Sequence, residues 1–335
     1  MKKMNRELLF FYGENARLKL KEAAALLQKS SQRLKYNLSI LEKEKILYNP
    51  YTIVDYSFFG QLLFRVYFKG GYAGEKHKIA ILQILRELPY IVSVYELGGE
   101  FDLVVEILSP NASRFNKELK KLITIVPSLN NYKIVLNIVT HFYPRSYLLP
   151  ERYSKMDFKI DWNIIVGGDR QIELFSSQEL AVLRAFSLNP RIHFSQAAKE
   201  TGLNVKTVLS TFKHLKRKHI VKGFQYIIDT NKLGISKHRL FLKLHNTSEE
   251  REKLLMQYFT QAPEIVQINK TIGDWDLEVD MEGLDKATMR YLILKMREEF
   301  ADVIQTFNSM EFFHCYQRSF LPESLFTGLE KKASS

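Results

Sequence analysis

Cysteine is almost absent: Cys315 is the only one in 335 residues, which excludes an internal disulfide and any cysteine-rich zinc site. Long apolar runs are missing too. Stretches such as 62–64 and 122–126 fall far short of the ~20 residues of a membrane span, and Met1-Lys2-Lys3 is followed by no signal-type apolar core. A cytoplasmic protein without a membrane partner is expected. The 8 histidines show no ligand spacing with acids or cysteine on one helix. Neither a metal site, a cofactor nor a catalytic set is therefore read from the residues, and the chain is expected not to be an enzyme.

Charge is unevenly placed along the chain. Residues 1–60 hold 11 Lys/Arg against 6 Asp/Glu and residues 176–235 hold 10 against 3, whereas residues 236–330 hold 11 against 16. Positive charge thus collects in two places, as expected where a polyanion docks. Hydrophobic residues, at 46%, suffice for several small cores.

The two basic stretches belong to a repeat. Asn15, Arg17, Ala23, Ala24, Ile46, Ile53, Asp55, Gly60, Pro89, Gly99, Asp102 and Leu103 recur 174 residues later as Asn189, Arg191, Ala197, Ala198, Ile220, Ile227, Asp229, Gly234, Pro263, Gly273, Asp276 and Leu277. The copies end alike, with Tyr143, Arg145 and Ser146 answered by Tyr316, Arg318 and Ser319. A period this long marks a duplicated domain pair, not a solenoid.

Each copy opens with helical periodicity, over 7–47 and 179–221, broken into three short helices. Ser30 and Asn204 stand as N-caps of the third helix. Leu34, Leu38 and Leu41, matched by Val208, Phe212 and Leu215, form its inner stripe. Gln32, Arg33, Lys35, Tyr36 and Ser39, and in the second copy Lys206, Thr207, Ser210, Lys213 and Arg217, lie opposite. Long polar donors on such a helix suit a DNA major groove. Residues 46–54 and 220–228 read as two strands around a turn, the wing of a winged helix, with Lys222 placed to touch phosphate.

The texture then changes to strand, helix, strand, strand, helix, strand: 62–68, 75–88, 91–97, 101–108, 112–126 and 132–141, repeated over 239–314. This is the βαββαβ, ferredoxin-like order. Its bare sheet faces are expected to be buried against each other. The fold class is thus α+β: two winged-helix domains (1–58 and 177–232) alternating with two ferredoxin-like domains (59–150 and 233–326), their sheets paired within the chain. Residues 151–176 join the copies, and the alternation on either side of Gly167-Gly168 predicts a glycine-turn hairpin.

The run Asn15-Ala16-Arg17, Ala23-Ala24, 30–46, 55–60 and Gly99-Glu100-Phe101-Asp102-Leu103 resembles the leucine-responsive regulator (Lrp/AsnC) family, and the second copy repeats it through Gly273-Asp274-Trp275-Asp276-Leu277. The resemblance spans nearly the whole chain outside about 150–176. It implies a sequence-specific transcription regulator reading double-stranded DNA with two winged helices, an intramolecular pseudo-dimer open to further homo-oligomerisation. By resemblance, Gly99, Asp102, Gly273 and Asp276 would sit at an amino-acid or other small effector. The plainer reading of these four is tight turns whose aspartates bond local N–H groups. The family usually has glycine where the third helix ends; Lys45 and His219 stand there, and Gln28 replaces the turn glycine kept as Gly202. Tandem haem-pathway decarboxylases share this architecture and are the runner-up. They resemble one another through an Asn-Tyr-x-Arg and His/Tyr-rich run at the second strand, where this chain has Val94-Tyr95-Glu96-Leu97 and Ile268-Asn269-Lys270-Thr271. An interaction module without DNA binding is a third reading.

Overall fold

The computed structural model describes residues 6–150, 163–246 and 248–326. The first copy begins with helices α1 (Arg6–Glu14), α2 (Leu20–Leu27) and α3 (Ser31–Lys43). The Ser30 side chain accepts from Arg33 N at 3.3 Å, which starts α3 where the sequence predicts. Strand β1 (Leu47–Val54) leads into the ferredoxin-like unit: β2 (Leu62–Phe68), α4 (Glu75–Glu87), β3 (Ile91–Gly98), β4 (Leu103–Ser109), α5 (Ala112–Ile125) and β5 (Tyr132–Phe142). A short strand β6 (Ile164–Gly167) follows. The second copy repeats the order as α6 (Ser177–Leu188), α7 (Phe194–Thr201), α8 (Val205–Arg217), β7 (Val221–Ile228), β8 (Ser236–Leu244), α9 (Glu249–Gln261), β9 (Ile265–Ile272), β10 (Leu277–Gly283), α10 (Lys286–Glu299) and β11 (Ile304–Arg318).

Chain reversal after α3 and α8 needs a left-handed residue, and Lys45 (φ 52) and His219 (φ 58) supply it. Each costs about 1 kcal/mol relative to glycine. The wings differ from expectation. Residues 47–54 and 221–228 are not hairpins: each is one strand, and β1 pairs antiparallel with β7 (Leu47 opposite Ile228, Ile53 opposite Gly223). Asn49-Pro50 kinks β1 where a turn is expected, because β1 finds its partner in the other copy. One hydrophobic core consequently runs through both three-helix units, from Leu8, Phe10 and Leu34 to Leu183, Val208 and Leu215. Arg17 reaches across it. Its guanidinium donates to Pro190 O (2.7 Å) and Ile192 O (2.9 Å) and lies against Phe186 and Phe224 of the second copy.

The two sheets do pair within the chain, and they join at both edges. In each copy the strand order is that of a ferredoxin-like sheet; β3 hydrogen-bonds to β11 and β5 to β9, while β2 pairs with both β4 and β5. Eight strands thereby close into a barrel, which removes every sheet edge between the copies. Helices α4 and α5 cover one side, packed through Ile81, Leu85, Phe115 and Leu122; α9 and α10 cover the other through Leu255, Phe259, Met289 and Met296. The hairpin expected around Gly167-Gly168 does not form. Strand β6 instead adds to β5, with Val139 opposite Gly167 and Phe142 opposite Ile164. Gly167 (φ 89) is required there, since a Cβ would lie 2.8 Å from Ile138 O and 3.0 Å from the Tyr56 hydroxyl. Trp162, the start of the expected hairpin, lies outside the described residues.

The barrel interior is half aromatic and half charged. Tyr67, Phe101, Phe241, Trp275 and Phe312 fill one part. In the other, Arg65 donates to Glu106 (2.7 Å), Asn137 (2.8 Å), Asn269 (3.1 Å) and Glu278 (2.9 Å). Arg239 pairs with Asp280 through two bonds (2.6 and 2.9 Å) and lies 3.3 Å from Glu278. Tyr67 and Trp275 donate to the other Glu278 oxygen at 2.7 and 2.9 Å. Glu278 is fully buried and Arg65 is 1% exposed, so each charge depends on its partners. Arg65→Met should cost about 3–5 kcal/mol, the typical penalty for leaving a buried charge uncompensated, and lower the urea midpoint of the full chain; a midpoint equal to wild type would refute the network's role.

Candidate functional site

The expected base-reading residues lie on the outer faces of α3 and α8. Gln32, Arg33, Lys35, Tyr36, Ser39, Lys206, Ser210, Lys213 and Arg217 are exposed and Thr207 is half-buried. Several are turned back on their own helix: Ser39 Oγ donates to Tyr36 O (2.7 Å), Ser210 Oγ to Thr207 O (3.0 Å), and Thr207 Oγ1 to Asn204 Oδ1 (3.0 Å). Lys222 is not at a wing tip. It sits within β7, largely buried, with Nζ 3.7 Å from Asp55 Oδ2.

The four expected effector residues hold turns. Asp102 Oδ2 accepts from the backbone N–H groups of Gly70 and Gly71, and Asp276 accepts from Leu244 N (2.8 Å) and Lys243 Nζ (3.1 Å). Gly273 (φ 151) packs on the neighbouring strand, where a Cβ would meet Ile134 O at 2.9 Å; Gly99 (φ 129) has more room. None of the four lines the clefts described next.

A cleft of about 550 Å³ opens where both three-helix units meet the barrel. The end of α3 gives Glu42 and Lys45, β1 gives Tyr48, α4 gives Arg86, and the second copy gives Arg191, Tyr226, Asp229, Lys232, His314 and Tyr316. A narrow inner cavity of about 40 Å³ continues from it, past Tyr48 and His314, to Tyr51, Tyr95, Lys237, Cys315 and Arg318. Four cations face two carboxylates in the outer cleft. Glu42 is taken by Arg191 (2.6 Å) and Tyr226 (2.5 Å), and Asp229 by Lys232 (3.6 Å). Lys45 and Arg86 make no ion pair among the described residues.

His314 stands at the centre. Its ring stacks on Tyr48 (centroids 5.7 Å, planes 6° apart) and meets Tyr316 edge-on at 4.7 Å. Burial lowers its pKa below the usual 6.5, against the opposing pull of Asp229 and Glu96, so the imidazole is mainly neutral at pH 7. Tyr48 donates to Cys315 O at 2.9 Å, and burial pushes its phenol well up. Tyr316 and Tyr72 donate to Glu96, with Lys78 at 3.0 Å; burial alone would raise that carboxyl, but these three bonds outweigh it and hold it below the usual range. Burial pushes the Cys315 thiol up to about 12, leaving it unreactive as a nucleophile. Among the described residues no three His, Cys, Asp or Glu side chains converge as a metal site would.

The equivalent place in the first copy is built differently. His141 is the counterpart of His314, and β6 lies beside it, with Ile165 opposite His141. Beyond Glu311, β11 has no strand on its corresponding side among the described residues; the Phe313 carbonyl there accepts from Asn231 Nδ2, and that of Cys315 from Tyr48. The sequence carried this signal as a repeated His-x-Tyr-x-Arg-Ser run, His141 to Ser146 and His314 to Ser319. The run lies on the last strand of each sheet, not on the second, where a His/Tyr-rich stretch was sought.

Arg145, at the end of the first run, is fully neutralised. It donates to Glu282 (2.7 Å) and Glu14 (2.9 Å), while Lys237 (3.0 Å) and Tyr147 (3.0 Å) complete the shell of Glu282. Burial would raise the Glu282 pKa, but Arg145 and Lys237 bring it to about 2. Because this folded-state value lies below the unfolded 4.5, its stabilisation is complete above pH ~4.5 and is lost as pH falls toward ~2. Glu282→Gln should therefore flatten the acid limb of a stability–pH curve; a limb as steep as wild type would exclude Glu282 as its source.

The sequence matches no protein-family model and no curated protein. Among solved structures, the siroheme decarboxylase NirDL matches along the full length, at 11% identity, 98% of this chain and 99% of that one, with a TM-score of 0.57. The same enzyme in co-complex with an iron-uroporphyrin III analogue scores 0.56 at 11% identity, over 98% and 97% of the two chains. Transcription regulators match less of the chain. One from Neisseria meningitidis, in complex with L-Met, is 12% identical over 40% of this chain and 87% of its own (TM-score 0.35); AsnC of E. coli is 15% identical over 42% and 94% (0.36). At these identities the likeness is one of fold. It corrects the expectation of a DNA-binding regulator that is not an enzyme: that reading rested on paired basic helices over a duplicated fold, and a solved chain sharing the whole of that fold is an enzyme.

Proposed function

We propose that the chain is an enzyme that removes CO2 from a carboxylate-rich tetrapyrrole held in the cleft around His314. The full-length fold likeness to siroheme decarboxylase carries the reading, and the cleft's chemistry agrees with it. Uroporphyrin-type tetrapyrroles are flat, largely apolar rings rimmed by carboxylate arms. Tyr48, Tyr226 and Tyr316 offer aromatic surface for the ring, and Lys45, Arg86, Arg191 and Lys232 offer cations for the arms.

Decarboxylation breaks the bond between a carboxyl carbon and its methylene; the electron pair enters the conjugated ring and returns to the methylene carbon with a proton. A group in the cleft must deliver that proton. The phenols of Tyr48 and Tyr316 are pushed too high to yield theirs readily. His314 is the better donor, because its lowered pKa makes the protonated ring a stronger acid.

The purified chain, given siroheme under anaerobic reducing conditions, should release CO2 and form decarboxylated product visible by mass spectrometry. It should also shift the absorbance of iron-uroporphyrin III on binding; failure of both would reject the reading. Because His314 protonates below pH 6.5, turnover should rise as the pH falls toward that range. His314→Asn should lower kcat by roughly 10²–10⁴-fold with little change in KM and remove the pH dependence. Wild-type kcat in this variant would discard His314 as the donor.

A further inference from the structure

The duplication leaves one arginine without the partners its twin has. Arg145 and Arg318 are equivalent, yet the four polar groups gathered around Arg145 and Glu282 are apolar at the matching positions around Arg318: Glu14 becomes Leu188, Glu282 becomes Leu108, Lys237 becomes Leu63, and Tyr147 becomes Phe320. Leu63, Leu108 and Phe320 share a small cavity with Arg318, and Leu188 shares a larger one of about 380 Å³. The Arg318 guanidinium stacks 4.8 Å from the Tyr51 ring and 5.4 Å from that of Phe142. Its hydrogen bond is to Gln267, at 3.4 Å, and no carboxylate pairs with it among the described residues. Glu106 lines the same small cavity and acts on Arg318 through space, but its hydrogen bond goes to Arg65.

A guanidinium carries five N–H donors in a planar fork that fits a carboxylate. Held among aromatic rings and leucines with no carboxylate bonded to it, it attracts an anion far more strongly than a solvated arginine does. The 380 Å³ cavity beside it is lined by Leu88, Ile91, Leu188, Phe320 and Leu321 together with Glu87 and Glu323, the latter paired with Arg184 at 2.7 Å. Arg86 and Pro50 line both this cavity and the cleft of His314.

We propose that Arg318 anchors a carboxylate-binding pocket, whose ligand is a carboxylate on an apolar stem. Its neighbour is the main cleft, which makes an arm of the cleft's tetrapyrrole the expected source; that identification alone rests on the function proposed above. A free aliphatic carboxylate is the other source of the same chemistry.

The test compares wild type, Arg318→Met and Arg318→Lys, using iron-uroporphyrin III followed by absorbance and octanoate followed by thermal stabilisation. Arg318→Met should weaken the tetrapyrrole by roughly tenfold or more, the usual loss for a charge-assisted bond, with Arg318→Lys in between. Without ligand, Arg318→Met should melt no lower than wild type, since it removes a cation with no carboxylate bonded to it; a large fall in Tm would make Arg318 a structural residue and overturn the proposal. Octanoate stabilising wild type but not Arg318→Met supports the pocket even where the tetrapyrrole fails to bind, and separates it from the fate of the enzymatic reading. Unchanged affinity for both probes in Arg318→Met, or binding of neither by wild type, overturns it.

Discussion

Glu278 is the residue on which the two halves meet. Each copy alone has a self-neutral pair inside its sheet, Arg65 with Glu106 and Arg239 with Asp280. Position 278 corresponds to Val104, and its carboxylate is a third anion that reaches both arginines. In the low dielectric of a closed barrel such a group is tolerable only when fully bonded, and Tyr67, Trp275 and Asn269 complete its shell. Together with the Arg65–Asn269, Thr140–Asn269 and Arg239–Tyr67 hydrogen bonds, this carboxylate holds the two sheets in one register. The edge pairing of β11 with β3 follows from that register, and with it the placement of His314 and Arg318.

Departures from symmetry carry the chemistry. The fold supplies two equivalent positions at the mouth of the barrel, and the chain disposes of one. Strand β6 lies along β5 beside His141, and Glu14 and Glu282 neutralise Arg145. At the other position no strand takes the edge among the described residues, and leucines stand around the arginine where carboxylates pair with its twin. The proposed site is one-sided, with Lys45, Tyr48 and Arg86 of the first copy set around His314 of the second, an arrangement that one covalent chain can encode and an identical dimer cannot.

Local chemistry was legible in the sequence, and long-range pairing was not. Ser30 and Asn204 announce α3 and α8 because a cap acts within three residues. The βαββαβ order follows from changes of hydrophobic period. The wings were misjudged because Asn49-Pro50 is turn-like in isolation, whereas the partner of β1 lies more than 170 residues away. The cleft was invisible for the same reason: α3, β1, α4 and β11 meet only in three dimensions. His-x-Tyr-x-Arg-Ser stood in both copies, but its function depends on which copy keeps its edge open. The exposed basic residues of α3 and α8 were read correctly as exposed, and exposure did not fix their use.

Strand β1 waits for β7, and β3 for β11, the last strand of the barrel. On the ribosome the first copy therefore emerges with β1, β3 and β5 each lacking a partner and with half of a shared core, and it stays in that state until β11 has been translated. Closure is a late event of high contact order. A truncated first half would keep those adhesive edges, and a second copy of itself offers the nearest matching strands.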